Sequence, residues 1–159
     1  MARAEVGRAK MGRAKIFALA AKETPHSGNN SLEAFAMPRP VHFEIPSDNP
    51  ERAMAFYSAV FGWTFQKWDG PMPYWLIATG PNEEPGINGG LLPRRDPAQP
   101  CVNTITVANL DETQATIEAQ GGSCCVPKMP VPGVGWMAYF RDLDGHIFGA
   151  MQPDPTVTV

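Results

Sequence analysis

The sequence predicts an α+β fold made of two related βαβββ modules, and three observations carry that reading. A strand-like alternation over residues 41–45 runs into a helix-like stretch opened by an asparagine cap, the same order returns over residues 101–120, and short apolar runs separated by turn formers follow each helix-like stretch. Asn49-Pro50-Glu51-Arg52 and Asn109-Leu110-Asp111-Glu112 occupy equivalent places about sixty residues apart, and a duplicated unit is the economical explanation.

Module one spans residues 39–93. In Val41-His42-Phe43-Glu44-Ile45 the alternation puts Phe43 and Ile45 on one face and His42 and Glu44 on the other. Pro46 should end that strand. Asn49 can cap a helix, Pro50 suits its first position, and Ala53, Phe56, Tyr57 and Val60 give residues 51–61 helical apolar spacing before Gly62 closes it. Apolar runs at 63–68, 74–79 and 87–92 then read as strands. Residues 94–100, with Pro97 and Pro100, form a linker. Module two spans residues 101–153: a strand at 101–107, a helix at 110–120 capped by Asn109 and closed by Gly121-Gly122, and strands at 123–127, 136–141 and 146–152. Asp142-Leu143-Asp144-Gly145 turns between the last two.

A chain of 159 residues with 43% hydrophobic content supports one domain with a sizeable core. Flanking it are an N-terminal extension, 1–38, and a C-terminal tail, 154–159. The extension repeats Gly-Arg-Ala-Lys and reads as a tail or a short basic helix weakened by its glycines. Residues 1–39 carry seven Lys and Arg against three Asp and Glu, whereas residues 40–159 carry six against thirteen. So acidic a body argues against a nucleic-acid partner, which would need clustered cations. No apolar run is long enough to span a bilayer, and residues 16–21 are too short for a signal core, so neither a membrane nor export is expected. Cys101, Cys124 and Cys125 leave an odd thiol and no disulfide framework, which suits a reducing, cytoplasmic setting.

Several segments, His42-Phe43-Glu44-Ile45-Pro46, Asn49-Pro50-Glu51-Arg52-Ala53, Phe56-Tyr57, Phe61-Gly62-Trp63 and Tyr139-Phe140-Arg141-Asp142-Leu143-Asp144-Gly145-His146, together resemble the vicinal-oxygen-chelate superfamily of glyoxalases, bleomycin-resistance proteins and extradiol dioxygenases. The resemblance implies that the two mixed sheets curve into a cup, that the cup takes a small-molecule ligand, and that the protein is a homodimer. In metal-dependent members each module supplies one ligand from its first strand and one from its last. His42 matches the first of these positions. Its counterpart is Val102, seven residues before Asn109 as His42 lies seven before Asn49. The last strand of module two normally holds a glutamate four residues after the turn glycine, here Gly149, and residues 87–91 of module one contain no carboxylate. Three of the four positions therefore lack a metal donor, and neither metal nor other cofactor is expected.

His42 and Glu44 share the strand face that should line the cup, where a histidine beside a carboxylate suits general acid–base catalysis; hydrogen bonding within the sheet is the plainer role. By the same parity Thr104 and Thr106 face the cup as ligand-binding hydroxyls, or serve simply as good strand residues. Trp75 and Trp136 are candidates for an aromatic wall, the parity of the later strands being open. His146 should make a turn hydrogen bond. Cys124 and Cys125 have no basic neighbour to generate a thiolate, and Gly86-Ile87-Asn88-Gly89-Gly90 is not followed by a helix as a phosphate loop would be. Three readings result: a metal-free lyase or isomerase using His42 and Glu44, a protein that sequesters an aromatic or hydrophobic compound, and a metal-dependent lyase or dioxygenase with an atypical ligand set including His42.

Overall fold

In each module an asparagine side chain turns strand into helix. Asn49 Oδ1 accepts the Arg52 N–H at 2.9 Å, and Gly62, at φ 71, ends the helix by donating to the Ser58 carbonyl. Asn109 Oδ1 accepts from the N–H groups of Asp111 and Glu112, and its amide donates to Glu112 Oε1 at 2.9 Å. The computed structural model describes residues 37–158, so nearly all of the expected N-terminal extension lies outside the described residues. Along the chain the elements are β1 (Pro40–Ser47), α1 (Pro50–Phe61), β2 (Thr64–Lys67), β3 (Trp75–Ala78), β4 (Asn88–Pro93), β5 (Val102–Thr106), α2 (Leu110–Ala119), β6 (Ser123–Val131), β7 (Gly135–Arg141) and β8 (Ile147–Pro153).

All eight strands join one open sheet in the order β2-β3-β4-β1-β5-β8-β7-β6. The first and last strands of each module run parallel, β1 with β4 and β5 with β8, and every other neighbouring pair is antiparallel. β1 and β5 meet at the centre, so the modules are halves of a single sheet within one chain.

The helix side of module two holds the core. Val107, Leu110, Ala138, Phe140 and Ala150 are buried there, with Ile105, Ile117, Trp136 and Phe148 packed around them. α1 buries no residue fully. It meets the sheet side through rings, Tyr57 stacking on Trp63 at 5.2 Å and Trp63 touching Phe43 at 5.7 Å, while Phe56, Val60 and Phe61 stay exposed.

Proline ends two strands later than expected. β1 continues through Pro46 to Ser47, because Pro46 lacks only a donor: its carbonyl still accepts from Arg94 Nη2 at 3.3 Å, and the Ser47 carbonyl accepts the Arg94 N–H at 2.9 Å. β6 passes Pro127 and reaches Val131, with register shifts on either side of Val126 absorbing the misfit. Residues 154–158 pack back on the β6–β7 turn instead of trailing away: Val157 is buried and its carbonyl accepts the Gly133 N–H at 2.9 Å.

Candidate functional site

Strand register determines which side chains share a face, since directly paired residues point the same way. Phe43 pairs with Gly89 and Gly89 with Ile77; Ile45 pairs with Leu91 and Leu91 with Trp75. These lie on the helix side, where Phe43 meets Trp63. On the other side, Glu44 pairs with Gly90 and Val102, His42 with Thr104, and Thr104 with Gly149, which pairs in turn with Tyr139.

Four polar side chains converge on that face. Tyr139 OH donates to Glu44 Oε2 at 2.9 Å, Tyr74 OH donates to Glu44 Oε1 at 3.3 Å, and His42 Nε2 lies 2.7 Å from Tyr74 OH. Tyr74 has one proton and spends it on the carboxylate, so the His42 contact requires an Nε2–H donor. The chain of donation runs from His42 through Tyr74 to Glu44, which also receives Tyr139. β1 and β7 are separated by β5 and β8, roughly 14 Å on a flat sheet. A tyrosine and a glutamate meet across that gap only if the sheet curls toward this face, which is therefore concave.

Burial sets the protonation states. His42 is 6% exposed, and burial pulls its pKa down to about 4, so the imidazole is neutral at pH 7. Glu44 is pushed above the usual carboxylate range by burial, with the hydrogen bonds from Tyr139 and Tyr74 opposing part of that rise. Burial, and then the charge of Glu44, drives both tyrosines upward, so they remain donors. The result is a partly desolvated carboxylate held by two hydroxyl donors, with no ion pair to a cation among the described residues.

The metal centre that the fold's metal-dependent members use does not fit these residues. Gly90 and Gly149 stand at matching places in the last strands, paired with Glu44 and Thr104. A side chain on Gly90 would run into the Tyr74 hydroxyl, and a Cβ on Gly149 would lie 2.7 Å from Thr104 Oγ1 and 3.4 Å from Met137 Cε. Both ligand positions are thus filled from neighbouring strands, while Val102 supplies only hydrocarbon. Among the described residues no three His, Cys, Asp or Glu side chains are grouped to hold an ion.

Of the residues singled out in the sequence, His42 and Glu44 are together and Thr104 is beside them. Thr104 is fully buried, and its Oγ1 has no hydrogen-bond partner among the described residues. Thr106 follows on the same face, half-buried. The two tryptophans are elsewhere. Trp75 lies on the helix side with Ile77 and Leu91, and Trp136 packs against the α2 core with Lys128 Nζ 5.3 Å from its ring centroid. Their sequence neighbourhoods supply Tyr74 and Tyr139 to the cup instead. A signal for Tyr74 existed in Gly89-Gly90: adjacent glycines in a strand admit a large neighbour on each face, here the Phe43 ring over Gly89 and Tyr74 over Gly90. His146 makes the expected turn contacts, its N–H donating to Asp142 Oδ1 at 2.9 Å and its Nδ1 lying 3.2 Å from Asp142 Oδ2.

Beyond Tyr74 a cavity of about 180 Å³ is lined by Met72, Pro73, Leu92, Pro93 and Arg95. Leu92 pairs with Pro46, so it shares the face of Glu44 one repeat further along the strands. A larger groove of about 460 Å³ against α2, lined by residues such as Val107 and Phe148, lies on the opposite side and contains none of the four site residues.

The sequence profile of the bleomycin resistance protein-like N-terminal family matches residues 39–80, the segment containing β1, α1, β2 and β3. No curated protein matches the chain. Among solved structures, methylmalonyl-CoA epimerase from Mycobacterium tuberculosis is similar at 13% identity and a TM-score of 0.58, over 73% of this chain and 88% of that one. A hypothetical protein from Bacillus halodurans C-125 is similar at 12% identity and 0.60, over 78% and 100%. A variant of Streptomyces coelicolor methylmalonyl-CoA epimerase in complex with 2-nitronate-propionyl-CoA gives 13% and 0.57, over 78% and 100%. These likenesses define the class as an α+β protein of paired βαβββ modules. With the family match, they identify the fold as that of the glyoxalase/bleomycin-resistance superfamily.

Proposed function

We propose that this protein is a small-molecule isomerase or lyase that works by metal-free acid–base chemistry, with Glu44 as the base that takes a proton from carbon next to a carbonyl group. The observation that carries the proposal is the bond from Tyr139 of module two to Glu44 of module one. Burying a carboxylate costs stability, and a buried acid with a shifted pKa in a concave face is what proton transfer needs. Its pKa, raised by burial, makes Glu44 a stronger base than a solvated carboxylate.

Tyr74 and Tyr139 have the complementary task. While Glu44 is charged it holds both hydroxyls; once it accepts the substrate proton that charge is gone, and the hydroxyls are free to donate to the enolate oxygen that has gained it. His42, neutral and donating to Tyr74, keeps that hydroxyl oriented. Two similar structures are named as methylmalonyl-CoA epimerases, and epimerisation is the removal and return of a proton at one carbon, the class of step proposed here. The aromatic wall that sequestration of a flat compound could draw on, Trp75 and Trp136, faces the helix side.

Proton exchange provides the test. Wild-type protein incubated in D2O with a panel of 2-oxo acids, aldehydes and acyl thioesters should accelerate loss of an α-proton NMR signal, chelator should leave the rate unchanged, and Glu44→Gln should lower it by about 10²-fold or more. No acceleration with any member, or full activity in the variant, would contradict the proposal. We further propose a homodimer, for which light scattering should give twice the chain mass of 17.3 kDa. Three free cysteines support a reducing, cytoplasmic setting. No helix among the described residues is long and apolar enough to cross a membrane.

A further inference from the structure

We propose that Arg95 makes the mouth of the cup a carboxylate-binding site, so that the molecule handled at Glu44 is a small carbonyl compound bearing its own carboxylate. This rests on the reading of Glu44 as the site's base and names the substrate class.

Residues 40–159 hold six basic side chains among thirteen acidic ones, so cations on this body are scarce. Arg94 is committed to structure: its Nε lies 3.4 Å from Asp48 Oδ1, and its guanidinium donates to the carbonyls of Pro46 and Pro97. Lys128 is likewise engaged with Asp111 at 2.7 Å. Arg95 differs. Its backbone N–H is anchored by Gln99 Oε1 at 2.9 Å, but its guanidinium has no ion pair or hydrogen bond among the described residues.

Arg95 lines the cavity of about 180 Å³, whose other walls, Met72, Pro73, Leu92 and Pro93, carry no charge. Pro73 adjoins Tyr74, and Leu92 continues the Glu44 face, so the cavity opens from the catalytic end of the cup. The charge of Arg95 is felt at the Tyr139 phenol, which it pulls downward against the effect of burial. An anion cannot place its negative end beside Glu44 without repulsion. It would enter with the carboxylate outward on Arg95 and the carbonyl inward at the tyrosines, an orientation that presents the C–H on the far side of that carbonyl to Glu44. A guanidinium matches a carboxylate with two parallel hydrogen bonds, which a lysine cannot reproduce.

Calorimetric titration of the whole protein with pyruvate, 2-oxobutyrate and their methyl esters tests this. The acids should bind about tenfold tighter than the esters, high salt should narrow the difference, Arg95→Leu should erase it, and Arg95→Lys should keep only part. Equal binding of acid and ester, an unchanged preference in Arg95→Leu, or no acid binding at about 10 mM would overturn the proposal. Glu44→Gln separates the two claims. If the acid preference survives in that variant while deuterium exchange is lost, both stand; if exchange also survives, the assignment of Glu44 fails while the anion site remains.

Discussion

At the scale of single residues, the buried pair His42 and Glu44 has opposite linkages to folding. Burial depresses His42 from 6.5 to about 4, so its contribution to stability is complete above pH 6.5 and is lost as pH falls toward 4, by an amount on the order of 3 kcal/mol. Denaturant titrations at pH 7 and pH 4 should therefore show a smaller acid loss in His42→Gln, whose amide can replace the Nε2–H donor without gaining charge. For Glu44 the sign reverses: its folded pKa is raised, so its contribution is present below the ordinary carboxylate range and is lost as pH rises through the shifted value. Glu44→Gln should consequently melt at the same or a higher temperature than wild type at pH 7 while losing proton exchange, a trade of activity for stability. Melting well below wild type would mean that the carboxylate serves the fold. His42 and Glu44 were legible in the sequence because strand alternation alone puts them together. Tyr74 and Tyr139 were not, because choosing between Tyr74 and Trp75 requires the parity of β3, and that parity is set by pairing with β4, which local pattern does not encode.

At the scale of elements, the two helices began where the asparagine caps announced them, yet equal local signals led to unequal packing. Leu110 of α2 is fully buried in the module-two core, whereas α1 buries no residue fully and leaves Val60 53% exposed. Leu110→Ala should cost about 2–5 kcal/mol by leaving a cavity, and Val60→Ala about 0.5 kcal/mol or less, as measured by denaturant unfolding. Equal costs would mean that α1 is covered in solution. The strand ends were less legible than the helix starts. Proline stops a strand only where its missing N–H is needed, and at Pro46 and Pro127 the ladder continues through other groups.

At the scale of the whole molecule, the duplication was legible because the caps recur in step, but the joining of the halves was not. Pairing of β1 with β5 inside one chain brings together groups 95 residues apart, so the site exists only when both modules are folded on one curled sheet. The two modules also carry glycine at matching places in their last strands. Glycines at Gly90 and Gly149 let Tyr74 and Thr104 fill the matching places, one adding a hydroxyl donor to the site and the other packing material. The claim at the centre of this account is that Glu44 of one module is a buried acid governed by Tyr139 of the other. It is most directly tested by a carbon-13 NMR pH titration of the Glu44 carboxyl in wild type and in Tyr139→Phe. The account predicts a wild-type pKa above the ordinary value of 4.5 and a further rise in the variant, because a hydrogen bond that favours the charged form has been removed; titration at or below 4.5 that is unchanged in Tyr139→Phe would contradict it.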